Sequence, residues 1–317
     1  MPLRNALLAL ALIVLAAVLV AVGDAWAPDR PVADLAARWA PPPSEFVTIQ
    51  GMQVHLRDEG PRDDPLPLLL LHGTSASLHT WNGWTRELSP ERRVVRVDLP
   101  GFGLTGPFPH DDYSIERYIE FIAALLDSLG LQRVVVAGNS FGGQVAWESA
   151  VEMPARVAAL VLVDAVGYPF TPESVPLAFQ LARYPALRPL IERLLPRRVV
   201  RASLHDVYGD PHRVDEALVD RYYELALREG NRHALGLRFA HVMPTDARAR
   251  RIATITQPTL ILWGGRDRLI PLASGEGFAR DIAGSRLVVF EALGHVPHEE
   301  APVDTVIVVK DFLSGLN

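Results

Sequence analysis

A nucleophile, a base and an orienting acid can be assembled from Ser140, His295 and Asp267. Ser140 lies in Gly138-Asn139-Ser140-Phe141-Gly142-Gly143, directly after the apolar run Val134-Val135-Val136-Ala137 and directly before a helix-capable segment. A serine at a strand tip, held in a sharp turn between glycines, presents its hydroxyl for attack. That hydroxyl stays a weak nucleophile until a base accepts its proton, and the base needs a third group to orient it. His295, in Leu293-Gly294-His295-Val296-Pro297, is the candidate base; Asp267, in Gly264-Gly265-Arg266-Asp267-Arg268, is the candidate acid. Asp164, at the end of Ala159 to Val163, is a rival acid, and His298 is a rival base.

The chemistry would be acyl transfer, which needs backbone N–H groups aimed at a developing oxyanion. Phe141, at the start of the helix after the turn, supplies one. The loop His72-Gly73-Thr74-Ser75 supplies the other, with Thr74 the first choice and Ser75 the second. Phe141, Asn139 and Ser75 are the expected substrate-contacting residues, and Trp81, Trp84, Phe102, Phe179 and Phe239 are further candidates to line a pocket. His72 is expected to support the loop by hydrogen bonding. Asp98-Leu99-Pro100-Gly101-Phe102-Gly103 lacks the spacing of a phosphate loop and reads as a strand-to-loop turn beneath the site. No H-E-x-x-H or dinucleotide fingerprint occurs, and Glu299-Glu300 beside His298 reads as a solvated helix start, so neither metal nor cofactor is expected.

These groups can meet only if strands bring them to one edge. Phe46 to Leu56 alternates around Gly51 as a hairpin, and Ile115 to Leu129 has helical periodicity. Leu66 to Leu71, Val94 to Val97, Val134 to Ala137, Ala159 to Val163, Thr259 to Trp263 and Leu287 to Phe290 are short, unbroken apolar runs. Such runs suit strands covered on both faces, so the pattern predicts an α/β fold with a mostly parallel, doubly wound sheet. The three candidate groups each follow one of these strands and would converge at their carboxyl ends. Residues 167–246 carry amphipathic helices, such as Val214 to Leu227 and Arg232 to Val242, punctuated by Pro185, Pro189, Pro196 and Pro211. They read as a helical cap inserted into the sheet, able to form an apolar pocket and exclude water. The expected division is residues 46–166 and 247–317 as the core, 167–246 as the cap and 28–45 as a linker.

The chain has 317 residues, a net charge of -6 and no cysteine, which excludes disulfides and thiolate nucleophiles and argues against a nucleic-acid partner. Residues 1–27 hold Arg4 followed by an uncharged apolar run from Ala6 to Gly23. Ala25-Trp26-Ala27 offers a small-x-small cleavage site. The segment therefore reads either as a signal peptide or as an uncleaved membrane anchor that leaves Arg4 inside. Both place the rest outside the cytoplasm, as a periplasmic, secreted or membrane-anchored protein.

Taken together, His72-Gly73, Asp98 to Gly103, the turn at Ser140, Gly264-Gly265-Arg266-Asp267 and Gly294-His295 resemble the α/β-hydrolase superfamily over residues 46 to 315. The resemblance is to its capped branch of esterases, small lipases, meta-cleavage carbon–carbon hydrolases, epoxide hydrolases and haloalkane dehalogenases. The last two use an aspartate nucleophile, which Ser140 does not supply. Carbon–carbon hydrolases commonly have an asparagine before the serine, as at Asn139, a tryptophan soon after the histidine and a cap arginine for a substrate carboxylate. Here Val296-Pro297-His298 follows the histidine, and Arg232 or Arg238 could be the arginine. The resemblance implies a serine hydrolase acting on a small, apolar carboxylic ester. Carbon–carbon hydrolysis is the alternative, and a catalytically silent binding protein is the reading from another class.

Overall fold

The computed structural model describes residues 2–175, 192–241 and 244–316, together with Leu177, Gln180, Tyr184, Ala186 and Pro189. Phe179, Pro185 and Val242, named above, lie outside the described residues. Helix α1 spans Pro2–Ala25 and α2 spans Val32–Trp39. The hairpin is β1, Ser44–Ile49, and β2, Met52–Glu59. Strand β3 (Leu68–Leu71), helix α3 (Asn82–Leu88), strand β4 (Val94–Val97) and helix α4 (Ile115–Ser128) follow. Strand β5 (Val134–Asn139), helix α5 (Phe141–Glu152) and strand β6 (Val157–Val163) complete the first half.

The eight strands among the described residues form one sheet in the order β1-β2-β4-β3-β5-β6-β7-β8, where β7 is Thr259–Gly264 and β8 is Arg286–Phe290. β1 and β2 are antiparallel, β2 runs against β4, and every later pairing is parallel. Alternating side chains explain why the inner strands are apolar throughout. Leu69, Leu71, Val134 and Val136 join a core beneath α4 and α5, whereas Leu68, Leu70, Val135 and Ala137 join another beneath α3 and helix Pro302–Ser314.

The helical insertion lies between β6 and β7. Its longer described helices are α6 (Arg197–Val207), α7 (Glu216–Ala226) and α8 (Asn231–His241). Asp215 caps α7 by accepting the N–H of Leu218 at 2.7 Å, which satisfies one of the unpaired donors of its first turn.

The stretch 28–45 departs from the expected linker. Its Pro, Ala and polar content reads as a linker or stalk, yet Val32–Trp39 is helical and Leu35 packs with Leu104 and Leu225. Arg38 pairs with Asp220 and Glu224 at 3.1 and 2.6 Å, and the Trp39 indole donates to Glu224 at 2.7 Å. Partners almost two hundred residues away hold this helix in place; its local composition does not reveal them.

The preceding residues are docked as well. Ala27 N–H donates to Arg193, Leu195 N–H to Ala25, Arg30 N–H to Leu227 and Glu229 N–H to Arg30. Within α1, Leu7–Ala25 is long and apolar enough to cross a membrane, and its described side chains before Ala25 are left uncovered by the rest of the chain.

Candidate active site

Ser140 sits between β5 and α5 at φ 55° and ψ −117°, a strained geometry for a non-glycine residue. The turn closes because its neighbours lack side chains. A Cβ on Gly138 would run into the carbonyl of Gly142, and one on Gly142 into the carbonyl of Leu71. The main chain holds the turn from both sides: Ser140 N–H donates to Val163 at 3.0 Å, and Gln144 and Val166 N–H donate back to the Ser140 carbonyl.

Asp267 follows β7. Its Oδ1 accepts the N–H groups of Leu269 and Ile270 at 2.8 and 2.9 Å, which turns Oδ2 toward His295. His295 Nδ1–H donates to that oxygen at 2.7 Å, and both side chains are buried. This bond fixes the tautomer with Nε2 free to take a proton. Ser140 and His295 line the same cavity, although no hydrogen bond joins Oγ to the ring among the described residues. Such bonds often tighten only with substrate bound. Asp164 lies within 4.8 Å of this pair, and the three could formally ligate a cation. The proton between His295 and Asp267 occupies the direction in which those two would have to bind it.

Thr74 and Ser75 both line the cavity, and their N–H groups, like that of Phe141, donate to no acceptor among the described residues. Ser75 adopts φ 59°. His72 sustains this loop: Nδ1–H donates to the Gly73 carbonyl at 2.7 Å and Nε2 accepts from Leu99 N–H at 3.0 Å. Burial pushes its pKa down and keeps it neutral. The neighbouring turn is pinned through Asp98, which accepts from His55 at 2.7 Å and from the N–H groups of Leu78 and Leu104. Burial alone would raise Asp98, but the charge interaction and hydrogen bond with His55, together with His72 and His79, outweigh it and hold the carboxyl below its usual range.

Other expected residues are placed differently. The Phe141 side chain does not line the cavity; it is buried against Tyr118, with ring centroids 4.8 Å apart, and beneath the Arg238 guanidinium. At the first position of α5 it turns inward toward the core. Asn139 lines the cavity, but its amide donates to the carbonyls of Val163 and His295 at 3.1 and 3.0 Å, so it orients the histidine loop. Trp81 and Trp84 are core residues around His298, and neither Phe102 nor Phe239 lines the main cavity. Arg232 reaches that cavity, whereas Arg238 does not. Arg232 is paired with Asp29 at 2.6 Å.

The cavity, about 400 Å³, is chiefly aliphatic. Leu194, Leu195 and Pro196 line it together with Val199, Val200, Leu204 and Val207 of α6. The three- and four-residue spacing along α6 was the signal in the sequence for that face. Ala25, at the end of α1, also contributes to the wall.

Glu299 and Glu300 are the clearest corrections. They are not a solvated helix start. Glu300 is 5% exposed and accepts the N–H groups of Gly209, Asp210 and Gly294 at 3.0, 2.9 and 2.9 Å. Glu299 pairs with Arg221 and accepts from Tyr222. His295 N–H also donates to the Val207 carbonyl at 2.7 Å. The cap and the histidine loop thus share one buried clamp, invisible in the sequence because its partners are about ninety residues away.

Comparison with known proteins agrees with this architecture. A family model described as the alpha/beta hydrolase fold matches residues 67–302. The chain is 33% identical over 283 residues to the 2-hydroxy-6-oxo-2,4-heptadienoate hydrolase of Pseudomonas putida, covering 85% of this chain and 96% of that protein. It shares its fold with the meta-cleavage product hydrolase from Pseudomonas fluorescens IP01 (TM-score 0.73, 24% identity, covering 86% and 98%). It is also similar to a membrane phospholipase A described as a bacterial virulence factor (TM-score 0.72, 26% identity), over 100% of this chain and 99% of that one. Relatives named as hydrolases of meta-cleavage type weigh toward carbon–carbon bond cleavage ahead of carboxylic-ester cleavage, the reverse of the order read from the sequence. With the sheet order, the strained serine turn and the matched span in agreement, the chain belongs to the α/β-hydrolase family.

Proposed function

We propose that the chain is a membrane-anchored serine hydrolase that cleaves a carboxylic ester with an apolar acyl chain. The observation that carries the ester reading is the state of Arg232. An arginine available to a substrate carboxylate would suit a dienoate acid, but Asp29 of the N-terminal segment already neutralises this one at the edge of a chiefly aliphatic cavity. The second reading is carbon–carbon hydrolysis, favoured by the named relatives and by Asn139 before the serine.

Ser140 Oγ attacks the ester carbonyl as His295 Nε2 takes its proton, and Asp267 stabilises the imidazolium. The N–H groups of Phe141 and Thr74 hold the oxyanion, a main-chain arrangement fixed before charge develops. Collapse expels the alcohol, which receives its proton from His295. Water then attacks the acyl-enzyme by the same route, with His295 again as base, and regenerates Ser140. The aliphatic wall from Leu194 to Val207 receives the acyl chain and excludes water from the intermediate.

The anchor reading is supported by the burial of Ala25 and Ala27, at 7% and 2% exposure, in contacts with the cap. A cleavage site in that position is closed to a peptidase once the chain has folded. The catalytic domain then lies outside the cytoplasm beside the membrane, and the similarity to a membrane phospholipase A over the whole chain makes acyl esters of lipids the substrates to test.

The test compares p-nitrophenyl esters of rising chain length and a diacyl phospholipid with a 2-hydroxy-6-oxo-dienoate, using the detergent-solubilised full chain. Ester turnover that exceeds dienoate cleavage supports the proposal. Dienoate cleavage without ester turnover replaces it with the second reading.

A further inference from the structure

Asp164 ends β6 at φ 44°, a conformation that non-glycine residues adopt rarely. Its side chain is fully buried. Oδ1 accepts the Gly264 N–H at 2.8 Å, while Oδ2 receives no N–H donor among the described residues and the Asp267 carboxyl stands beside the side chain. One oxygen of Asp164, one of Asp267 and one ring nitrogen of His295 all lie within 4.8 Å of one another. Joining β6 to β7 does not require an acid here. An asparagine carbonyl would accept the Gly264 N–H equally well, without a second carboxyl beside the first.

We propose that Asp164 is a positioning residue of this site, a reserve acid that stands behind Asp267 and can orient and stabilise His295 in its place. The inference rests on the serine-hydrolase reading above. Burial, and then the adjacent Asp267 carboxylate, hold the Asp164 carboxyl well above its usual pKa. Asp267, His295 and Glu300 are the titratable groups that face it. Removing the Asp267 charge relieves that repulsion. Burial still holds the Asp164 carboxyl up, so it gives its proton to solvent only as pH rises, and its carboxylate then becomes the anion opposite His295.

The test measures kcat on a p-nitrophenyl ester for the full chain carrying Asp267→Asn, Asp164→Asn or both. Loss of a triad acid with nothing to replace it lowers kcat by about 10⁴-fold. With a reserve acid, Asp267→Asn loses about 10²-fold and the double variant about 10⁴-fold. The residual kcat of Asp267→Asn also rises with pH as Asp164 ionises, and that rise is missing from the double variant. A single variant as inactive as the double, or a flat pH profile in Asp267→Asn, overturns the proposal. If Asp164→Asn does not fold, Asp164→Ser in the Asp267→Asn background supplies the same comparison, and equal kcat in the single and double variants overturns the proposal. Wild-type protein that never acylates Ser140 overturns the serine-hydrolase reading instead, which separates the two failures.

Discussion

Replacing Glu300 by alanine tests whether the cap and the catalytic loop are held by one buried carboxylate. Three N–H groups, from Gly209, Asp210 and Gly294, lose their acceptor. Hydrogen bonds to a charged group contribute about 1.5–3 kcal/mol each, so the gross loss is roughly 4.5–9 kcal/mol. Gly209 and Asp210 are only partly buried and water can replace their acceptor, whereas Gly294, on the buried side, has no such recourse. The expected net cost is therefore about 3 kcal/mol. Glu300→Gln keeps one oxygen but turns an NH₂ group toward a donor, and should cost about half as much. Thermal unfolding followed by circular dichroism should rank wild type above Gln above Ala. Because Gly294 directly precedes His295, kcat should fall in the same order with a smaller change in KM. Alanine and wild-type proteins that melt within a degree of each other would refute the clamp, as would a stabilised alanine variant.

Other outcomes follow from the same structure. Each methylene that enters the aliphatic cavity should add about 0.8 kcal/mol of transition-state binding, so kcat/KM should rise about fourfold per methylene until the cavity is full. Val200→Trp, on the wall of that cavity, should move the plateau to shorter acyl chains, and an unchanged chain-length profile would place the acyl group elsewhere. Burial pushes His298 well down and His79 down to about 3. Their neutral folded forms contribute stability that is complete above about pH 6.5 and is lost as pH falls toward the folded values. His298→Phe should therefore flatten the fall in Tm below pH 6.5, and an unchanged slope counts against this origin. A chain that begins at residue 28 loses the Ala25 and Ala27 contacts with the cap, including two backbone hydrogen bonds worth about 1 kcal/mol each. It should melt lower than the full chain in the same detergent, and an identical Tm would argue that these contacts are incidental.

The strand runs, the serine turn and the loops carrying Asp267 and His295 were legible because each is a local pattern: an apolar run followed by a short polar turn. The pairing of His295 with Asp267 followed from placing those runs in one parallel sheet. Features created by distant contacts were not legible. Glu300 reads like any acidic residue at a helix start until Gly209 and Gly294 stand beside it. The helix Val32–Trp39 is short and proline-flanked, and only Glu224 and Asp220 explain why it docks. Aromatic side chains were expected around the substrate because they are large and apolar. That same bulk places Trp81 and Trp84 in the core against His298 and Phe141 against Tyr118, and leaves the smaller aliphatic residues of α6 to line the cavity.

The central claim is that Ser140 is the acylated nucleophile of the site. The most direct measurement is intact-protein mass spectrometry after treatment with a fluorophosphonate, followed by peptide mapping of the adduct. One adduct per chain on the peptide containing Ser140, absent from Ser140→Ala and strongly slowed in His295→Ala, is the result expected. Labelling that persists in Ser140→Ala, or folded wild-type protein that takes up no label, would contradict it.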